Sequence, residues 1–199
     1  MTRNIKCKKI VTFSLMIGMV LSLLHCEFIY AQDQDQLTKA EIELYAKHPI
    51  EAYKAKQCAI QARKAAKKYF EEYTLEQGNG DAFRHAYWSA LMAKKIGVDF
   101  AYQAGLAHEG VKVGYQFSKL SDDSKMDISN NFRGRKYGKK YANKSDKYLL
   151  RVVKKACVKG RLKRIRMKTY GNAWSDRTIA GVKTSYKGYY IKSNSEGIK

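Results

Sequence analysis

The sequence has 199 residues, with 39 Lys and Arg against 18 Asp and Glu, which gives a formal net charge of +21. Because 45% of the residues are hydrophobic and 12% are aromatic, the chain can form a folded core, which argues against an intrinsically disordered protein. A single Pro and 14 Gly exclude collagen-like and proline-rich material. The length indicates one domain with room for a tail.

Residues 1–31 have the layout of a secretory signal peptide. Basic residues come first, an uncharged and mostly apolar run over residues 10–24 follows, and Ala31 is a small residue at the cleavage position. We therefore expect cleavage after Ala31 and a secreted or periplasmic protein. Two alternatives stay open, namely lipidation of Cys26 and a retained anchor. No later run is apolar for long enough to span a bilayer, so no transmembrane segment is expected after cleavage.

Helical periodicity and helix-end signals predict five to six helices over residues 32–160. Thr38 and Glu41 have the spacing of a capping box, and Pro49 suits the first turn of the next helix. Gly134 and Gly138 are expected to interrupt the fifth helix. The predicted helices cover residues 37–47, 49–73, 81–96, 98–109, 121–142 and 145–159.

The pattern changes after Gly160. Tyr, Thr and Val between glycines over residues 178–191 predict either the strands of a β-hairpin or an ordered tail. The predicted fold class is therefore mainly α, a compact helical domain with a small basic C-terminal extension. The expected domains are a signal peptide (1–31), a helical domain (32–160, with its motifs in 75–160) and a basic, aromatic C-terminal segment (161–199).

Two cysteines stay in the chain after the predicted cleavage, Cys58 and Cys157. In an exported protein this pair allows one intramolecular disulfide. Such a bond closes a loop of about 100 residues and contributes roughly 4–5 kcal/mol on the chain-entropy model. The alternative is two buried free thiols, and the sequence does not decide between them.

The positive charge lies in the second half of the chain. Residues 32–109 carry 11 basic and 11 acidic residues, whereas residues 110–199 carry 24 basic and six acidic residues. We expect an anionic envelope polymer or lipid surface as the partner, with nucleic acid as the alternative because aromatic residues follow the cations. The opposing interpretation is the solvated face of a core helix. The predicted polyanion-binding residues are Arg151, Lys154, Lys155, Lys159, Arg161, Lys163, Arg164, Arg166 and Lys168.

The first chemical motif is the segment from Asp81 to Trp88 in the third predicted helix. Asp81 lies one helical turn before His85, where a carboxylate orients an imidazole and raises its basicity. Arg84 and Trp88 share the neighbouring face, and an Arg can stack on an indole. The structural alternative is an Asp favoured by the helix dipole and a His at the edge of the core.

The second motif is the pair His108 and Glu109, at the end of the fourth predicted helix. It contains the first half of the zinc-protease signature HExxH, but Lys112 occupies the position of the second His, so that signature is not met. A His in this place also interacts favourably with the helix dipole without any further role.

The third motif begins at Asp127 in the fifth predicted helix. Asp127, Asn130 and Asn131 lie on one helix face, although Asn is a poor residue for a helix interior. Such residues need a reason, which is a ligand, a metal, a neighbouring helix or a cap. Gly134 then allows another backbone to approach closely, and Arg135 is a candidate for binding an anionic group.

We expect the three motifs to line one polar cleft, with His85, His108, Glu109 and Asp127 as the catalytic residues. The same four side chains are mixed nitrogen and oxygen donors for one divalent metal ion, which would activate water. Without a metal, His108 with Glu109 or His85 with Asp81 is a candidate general base. The competing interpretation is a buried hydrogen-bond network. The predicted substrate-binding residues are Asp81, Arg84, Trp88, Asn130, Asn131 and Arg135.

Taken together, the three segments resemble a bacterial domain family of unknown function that occurs in exported and toxin-like proteins. The family pattern is a DAxRHAxW helix, a His-Glu pair and a DxxNNxxG segment, matched here by Asp81 to Trp88, His108-Glu109, and Asp127 to Gly134. The resemblance covers roughly residues 75–160. It implies no activity, but it implies that one site contains His85, His108, Glu109, Asp127, Asn130 and Asn131. The basic segment after Gly160 lies outside it.

Three functional hypotheses follow. The first is an exported hydrolase that acts on an anionic, phosphodiester-type substrate through the His/Glu/Asp/Asn cleft. The second is a non-catalytic module that binds an anionic envelope polymer, lipid or nucleic acid. The third is an effector that binds another protein. Loss of function on His108→Ala with folding retained distinguishes the enzyme, and steep salt dependence distinguishes the binder.

Overall fold

A computed structural model describes residues 37–165, 168–169, 184–185 and 190–199. The predicted signal peptide, Cys26 and the cleavage position therefore lie outside the described residues. Within the described residues, none of the helices combines the length and the apolar character that a membrane span requires.

The described part of the chain contains six α-helices, so the prediction of a mainly α fold is confirmed. Two short 3-10 turns, Glu72–Thr74 and Phe117–Lys119, lie between them. The helices are α1 (Lys39–Lys47), α2 (Pro49–Tyr69), α3 (Asn79–Lys95), α4 (Val98–His108), α5 (Asp122–Lys140) and α6 (Asp146–Val158).

The helix ends follow local chemistry in most places. Thr38 forms the predicted capping box with Glu41, and Ser121 and Ser145 cap α5 and α6 through their hydroxyl groups. The exception is α2, which was predicted to continue to residue 73. It ends at Tyr69 because the next residues pair with the C-terminus: Glu71 N donates to the Gly197 carbonyl, and Lys199 N donates to the Tyr69 carbonyl.

Helix α3 is the centre of the fold and contacts α2, α4, α5 and α6. Fourteen of its 17 residues are buried, and these include four polar ones, namely Asn79, Asp81, His85 and Ser89. A buried polar side chain is unfavourable unless it finds a partner, so these four positions indicate where the helix does more than fill the core.

Helix α5 crosses α3 at very close range. A Cβ atom on Gly134 would lie 2.1 Å from the Ala86 carbonyl oxygen, and one on Gly138 would lie 2.2 Å from the Ala90 carbonyl oxygen. The prediction that these glycines interrupt α5 is wrong, since the helix is continuous through both. Their role is the close backbone approach that the sequence predicted for Gly134.

Short strands follow the helices: β1 (Lys163–Ile165), β2 (Lys168–Thr169), β3 (Thr184–Ser185) and β4 (Tyr190–Lys192). β1 pairs antiparallel with β4, which places Lys163 opposite Lys192, and β2 pairs antiparallel with β3. The connection between β2 and β3 lies outside the described residues.

The two cysteines are both buried and free, which corrects the disulfide alternative. Cys58 lies on α2 and Cys157 on α6, where its sulfur contacts the Asn79 carbonyl at 3.5 Å. Burial raises the pKa of the Cys58 thiol to about 11 and that of the Cys157 thiol to about 12. Both therefore behave as neutral core residues at ordinary pH.

Candidate functional site

The three sequence motifs meet where α3, α4 and α5 come together, near the start of α1. Asp81 and His85 come from α3, His108 ends α4, Glu109 follows it, and Asp127 comes from α5. Glu41 joins them from α1. We name this group the His–carboxylate cluster: Glu41, Asp81, His85, His108, Glu109 and Asp127.

Two sets of three side chains in the cluster place their donor atoms within 4.8 Å of one another. One set is His85, His108 and Glu109, and the other is Asp81, His85 and Asp127. His85 belongs to both. The four residues expected from the sequence to share a metal therefore lie together, although they divide into two overlapping sets.

The floor of the cluster is formed by α3. Arg84 donates through Nε (3.2 Å) and Nη2 (2.6 Å) to Asp81 Oδ1, and Gln77 N donates to Asp81 Oδ2 at 2.6 Å. His85 Nε2 lies 3.4 Å from Asp81 Oδ1 and 3.5 Å from Asp127 Oδ1. Arg84 thus pairs with Asp81 on its own helix.

Glu41 is the member of the cluster that sequence reasoning missed as a site residue. Its Oε2 accepts a hydrogen bond from Thr38 N, and its Oε1 lies 2.9 Å from His108 Nδ1. A carboxylate at this position holds the ring proton on Nδ1. The lone pair of Nε2 is then the one that can bind a metal ion. The capping-box pattern accounted for Glu41 so fully that nothing in the sequence indicated a second role.

His85 differs from His108. Arg84 Nη2 lies 3.1 Å from His85 Nε2, and a guanidinium can only donate, so Nε2 accepts this hydrogen bond and the ring proton lies on Nδ1. This Nδ1 atom is buried and finds no hydrogen-bond partner in the part of the chain that the structure describes. His108 therefore has the pattern of a metal-binding histidine, whereas His85 must release the Arg84 hydrogen bond before its Nε2 can bind a metal ion.

The charge states of the α3 residues are set by burial and by Arg84. Burial and the Arg84 charge lower the pKa of His85 to about 4, against the opposing effect of Asp81. Burial raises the pKa of Asp81, but Arg84 and His85 outweigh it and hold that pKa well below the usual range. Near neutral pH the site therefore contains a neutral His85 beside an ionised Asp81.

For Glu109 and Asp127, burial outweighs the neighbouring groups that favour the ionised carboxylate. Burial raises the pKa of Glu109 to about 7, although His108 and a hydrogen bond from Ser124 favour its ionised form. Burial, followed by the charges of Asp81 and Glu109, raises the pKa of Asp127 well above its ordinary value. Carboxyl groups crowded in this way are stabilised in their ionised form by a bound cation.

Unpartnered polar atoms are concentrated along the α3–α5 contact. Four buried residues there, His85 and Ser89 on α3 with Asp127 and Asn131 on α5, have side-chain atoms that find no hydrogen bond among the described residues. Native proteins rarely leave buried polar groups without partners, so such a group of atoms indicates bound water or an ion.

Solvent reaches the cluster on one side. The side chains of Arg84 and His108 are 29% and 30% exposed, whereas those of Asp81 and His85 are almost fully buried. Trp88 forms a wall, since its ring lies 5.2 Å from that of His108 and its Nε1 donates to the Ala55 carbonyl. Trp88 thus shapes the cluster instead of presenting a free face to a ligand.

The donor set fits a divalent metal ion. His85, His108 and Glu109 supply two nitrogens and one carboxylate, and an open catalytic site for zinc or a similar ion has three protein ligands of this kind. Glu41 is the carboxylate that orients His108, whereas His85 accepts a hydrogen bond from Arg84. Asp127 lies beside His85 as a further oxygen donor.

The remaining predicted substrate-binding residues have other positions. Asn130 accepts from Lys163 N and donates to the Lys163 carbonyl, so it attaches α5 to β1. Asn131 is buried next to Gly105 on α4. Arg135 lies over the ring of Tyr102 at 5.0 Å and lines a separate cavity.

The predicted polyanion-binding residues also divide. Arg151, Lys155, Lys159, Arg161 and Lys163 line two surface cavities. Lys154 instead lies over the Tyr69 ring at 4.5 Å, and Arg164 pairs with Glu196 at 3.0 Å. Arg166 lies outside the described residues, and the structure describes no side chain for Lys168.

The fold and the cluster define a class of protein, a mainly α domain in which two histidines and four carboxyl groups meet between helices. The family model of a domain of unknown function, DUF6973, matches residues 42–161, which is more than half of the chain. The protein belongs to this family. The matched range includes the whole cluster except Glu41. Comparison with curated proteins and with solved structures gives no match.

Proposed function

We propose that this protein is a metal-assisted hydrolase that acts on a phosphodiester-type substrate at the His–carboxylate cluster. The metal ligands are His85, His108 and Glu109. The observation that carries the proposal is the grouping of His85, His108 and Glu109, whose possible ligand atoms lie within 4.8 Å of one another, with Glu41 orienting His108.

A divalent ion held by three protein ligands polarises a phosphoryl oxygen and lowers the pKa of bound water. The chain supplies the rest of the chemistry. Glu41 orients the His108 imidazole, and Arg84, itself held by Asp81, orients that of His85. Asp127 is the candidate for moving a proton, since its pKa lies well above the usual value and its carboxyl group lies 3.5 Å from His85.

Arg84 supports an anionic substrate. Its guanidinium lies at the partly exposed edge of the cluster and is held by Asp81, so its direction is set before a ligand arrives. A planar guanidinium suits a phosphoryl group and the charge that develops on it during hydrolysis. The formal net charge of +21 adds a long-range attraction for such substrates.

Hydrolysis of bis(p-nitrophenyl) phosphate with added Zn²⁺ or Mn²⁺ tests the proposal. Loss of a residue that only orients a metal ligand costs about 10- to 100-fold, so we expect His108→Ala, which removes a ligand, to lose at least that much activity. His48→Ala removes an exposed histidine outside the cluster and is the matched control. Equal activity of His108→Ala and the wild type, with both folded by circular dichroism, would overturn the proposal.

Export belongs to the same proposal and rests on residues 1–31 alone. We propose that the chain is a secreted or periplasmic bacterial protein, with the toxin-like setting that the motif resemblance implies. Cell fractionation with N-terminal sequencing of the mature protein tests this. A mature N-terminus at residue 32 is the expected result, and an intact, cell-associated chain that begins at Met1 contradicts it.

A further inference from the structure

Two cavities on the surface share one residue, Arg161. The first has a volume of about 390 Å³ and lies between the ends of α4, α5 and β1. The second has a volume of about 440 Å³ and lies between α5 and α6. Arg161 lines both, so the two cavities are neighbours, and we name them together the basic groove. Its cations are Arg133, Arg135 and Lys163 in the first cavity, Arg151, Lys155 and Lys159 in the second, and Arg161 between them.

The charge of the basic groove is of one sign. No Asp or Glu lines either cavity among the described residues, whereas seven cations do. A concave surface of this kind focuses its field on an extended anion. It differs from a solvated helix face, where both signs alternate.

Aromatic rings lie between these cations. Phe132 is 46% exposed and has Lys136 over its ring at 4.4 Å, and Phe117 at the same cavity is 38% exposed. In the second cavity Tyr148 has Arg151 over its ring at 5.8 Å and packs against Tyr141. Exposed rings beside cations suit a single-stranded nucleic acid, whose bases stack on rings while its phosphates contact the cations.

We propose that the basic groove binds single-stranded nucleic acid, with phosphates at Arg161 and its neighbouring cations and with bases stacked on Phe132 and Phe117. A strand with unpaired bases offers both the charge and the ring faces. A duplex hides its ring faces, and sugar-phosphate or teichoic polymers have none. A flat lipid surface does not reach the walls of a concave groove. This site is separate from the His–carboxylate cluster, and its ligand binding does not depend on the proposed hydrolysis.

Fluorescence anisotropy with a labelled oligothymidylate, with EDTA present throughout, tests the proposal without any contribution from metal-dependent cleavage. We expect Arg161→Gln to weaken binding and to reduce the slope of log affinity against log salt by about 0.7, the value of one phosphate contact on a single strand. Lys64→Gln removes one positive charge from exposed α2, away from both cavities, and we expect it to leave the slope unchanged.

A second pair of variants tests stacking. We expect Phe132→Ala to weaken oligothymidylate binding about tenfold, within the range for one lost base stack, and Phe132→Leu to do the same because Leu keeps apolar bulk without a ring. Equal affinity for the oligothymidylate and for a duplex of the same length would overturn the proposal. So would an unchanged affinity of both Phe132 variants, or binding to phosphatidylglycerol vesicles that exceeds oligonucleotide binding and depends on the same residues.

Discussion

Glu41 has two partners, and this double role links the start of the fold to the candidate site. One carboxylate oxygen accepts from Thr38 N and caps α1, and the other lies against His108. Burial lowers the pKa of His108, but the hydrogen bond and charge of Glu41 outweigh this effect and raise it above the usual value.

Replacing Glu41 with Gln tests this role. An amide keeps an oxygen for the cap but loses the charge, so we expect the pKa of His108 to fall and Zn²⁺ affinity to drop about 10- to 100-fold. NMR titration of the His108 ring and calorimetry measure the two effects. Glu43→Gln on the exposed side of α1 is the control, and an unchanged His108 pKa in Glu41→Gln contradicts the account.

His85 is expected to make stability depend on pH. Its folded-state pKa of about 4 lies below the unfolded value of about 6.5, so the unfolded chain binds a proton first as the pH falls. The contribution of neutral His85 to the free energy of unfolding is complete above pH ~6.5. It is lost as the pH falls to about 4, and its magnitude is about 3 kcal/mol.

Urea unfolding at several pH values tests this prediction. We expect the metal-free wild type to lose more stability between pH ~6.5 and pH ~4 than His85→Gln does, since the variant cannot take up that proton. Parallel pH profiles for the two proteins would contradict a neutral, buried His85.

Several site residues were predictable from the sequence because their positions need no polar side chain for folding. His85, His108 and Asp127 are of this type, and they do meet in the structure. Asn130 was a substrate-binding candidate on the same grounds, yet it bonds to the backbone of β1. A polar residue that hydrogen-bonds a distant strand and one that binds a ligand have the same local sequence pattern, so the sequence does not distinguish them.

At the scale of elements, the crossing of α3 and α5 is the most extensive helix contact among the described residues. Gly134 and Gly138 lie one turn apart on α5 and leave room for the carbonyl groups of Ala86 and Ala90. This crossing brings Asp127 to His85, so the spacing of the two helices controls the geometry of the cluster.

Substitution Gly134→Ala therefore tests whether the steric clash at the helix crossing outweighs the higher helix propensity of Ala. Ala at an open helix position would stabilise by about 1 kcal/mol, but here the added Cβ would lie 2.1 Å from a backbone oxygen. We expect a net loss of about 1–3 kcal/mol in the free energy of unfolding. Exposed Lys139→Ala on the same helix should change stability by less than about 0.5 kcal/mol. A more stable Gly134→Ala protein would contradict the close crossing.

Helix positions were largely predictable because the capping and periodicity signals are local. The end of α2 was not, since Phe70 is drawn into an extended bridge with Ile198 at the other end of the chain. The same limit applies to the glycines of α5, where local propensity suggested a break and tertiary contact explains a continuous helix.

At the scale of the whole molecule, the C-terminal residues attach to the centre of the fold through Asn79. The Asn79 amide donates to Asn194 Oδ1 at 2.6 Å and to the Glu196 carbonyl at 2.8 Å, and its oxygen accepts from Asn194 N at 3.1 Å. Asn79 begins α3, so the last residues of the chain bind the helix that carries Asp81 and His85.

Substitution Asn79→Ala is expected to destabilise the protein by roughly 2–3 kcal/mol, because it removes the three hydrogen bonds of a buried side chain. Urea unfolding measures the change, and exposed Asn143→Ala is the control with an expected effect below about 0.5 kcal/mol. An effect of Asn79→Ala as small as that of the control would show that the C-terminal contact does not support the fold.

The whole molecule thus combines a buried cluster of histidines and carboxylates with a basic surface on its second half. The sequence revealed both sets of residues, but it did not show that Arg135 lies at the surface groove with Arg161 instead of in the cleft with His85. That assignment depends on which helix faces which, a property of the assembled fold.

Metal analysis of the purified protein tests the central claim most directly. After dialysis against Zn²⁺ and then against metal-free buffer, we expect about one equivalent in the wild type and almost none in His85→Ala or His108→Ala. The exposed-histidine variant His48→Ala should retain the wild-type amount. No bound metal in the wild type, or equal amounts in all four proteins, would contradict a metal centre at the His–carboxylate cluster.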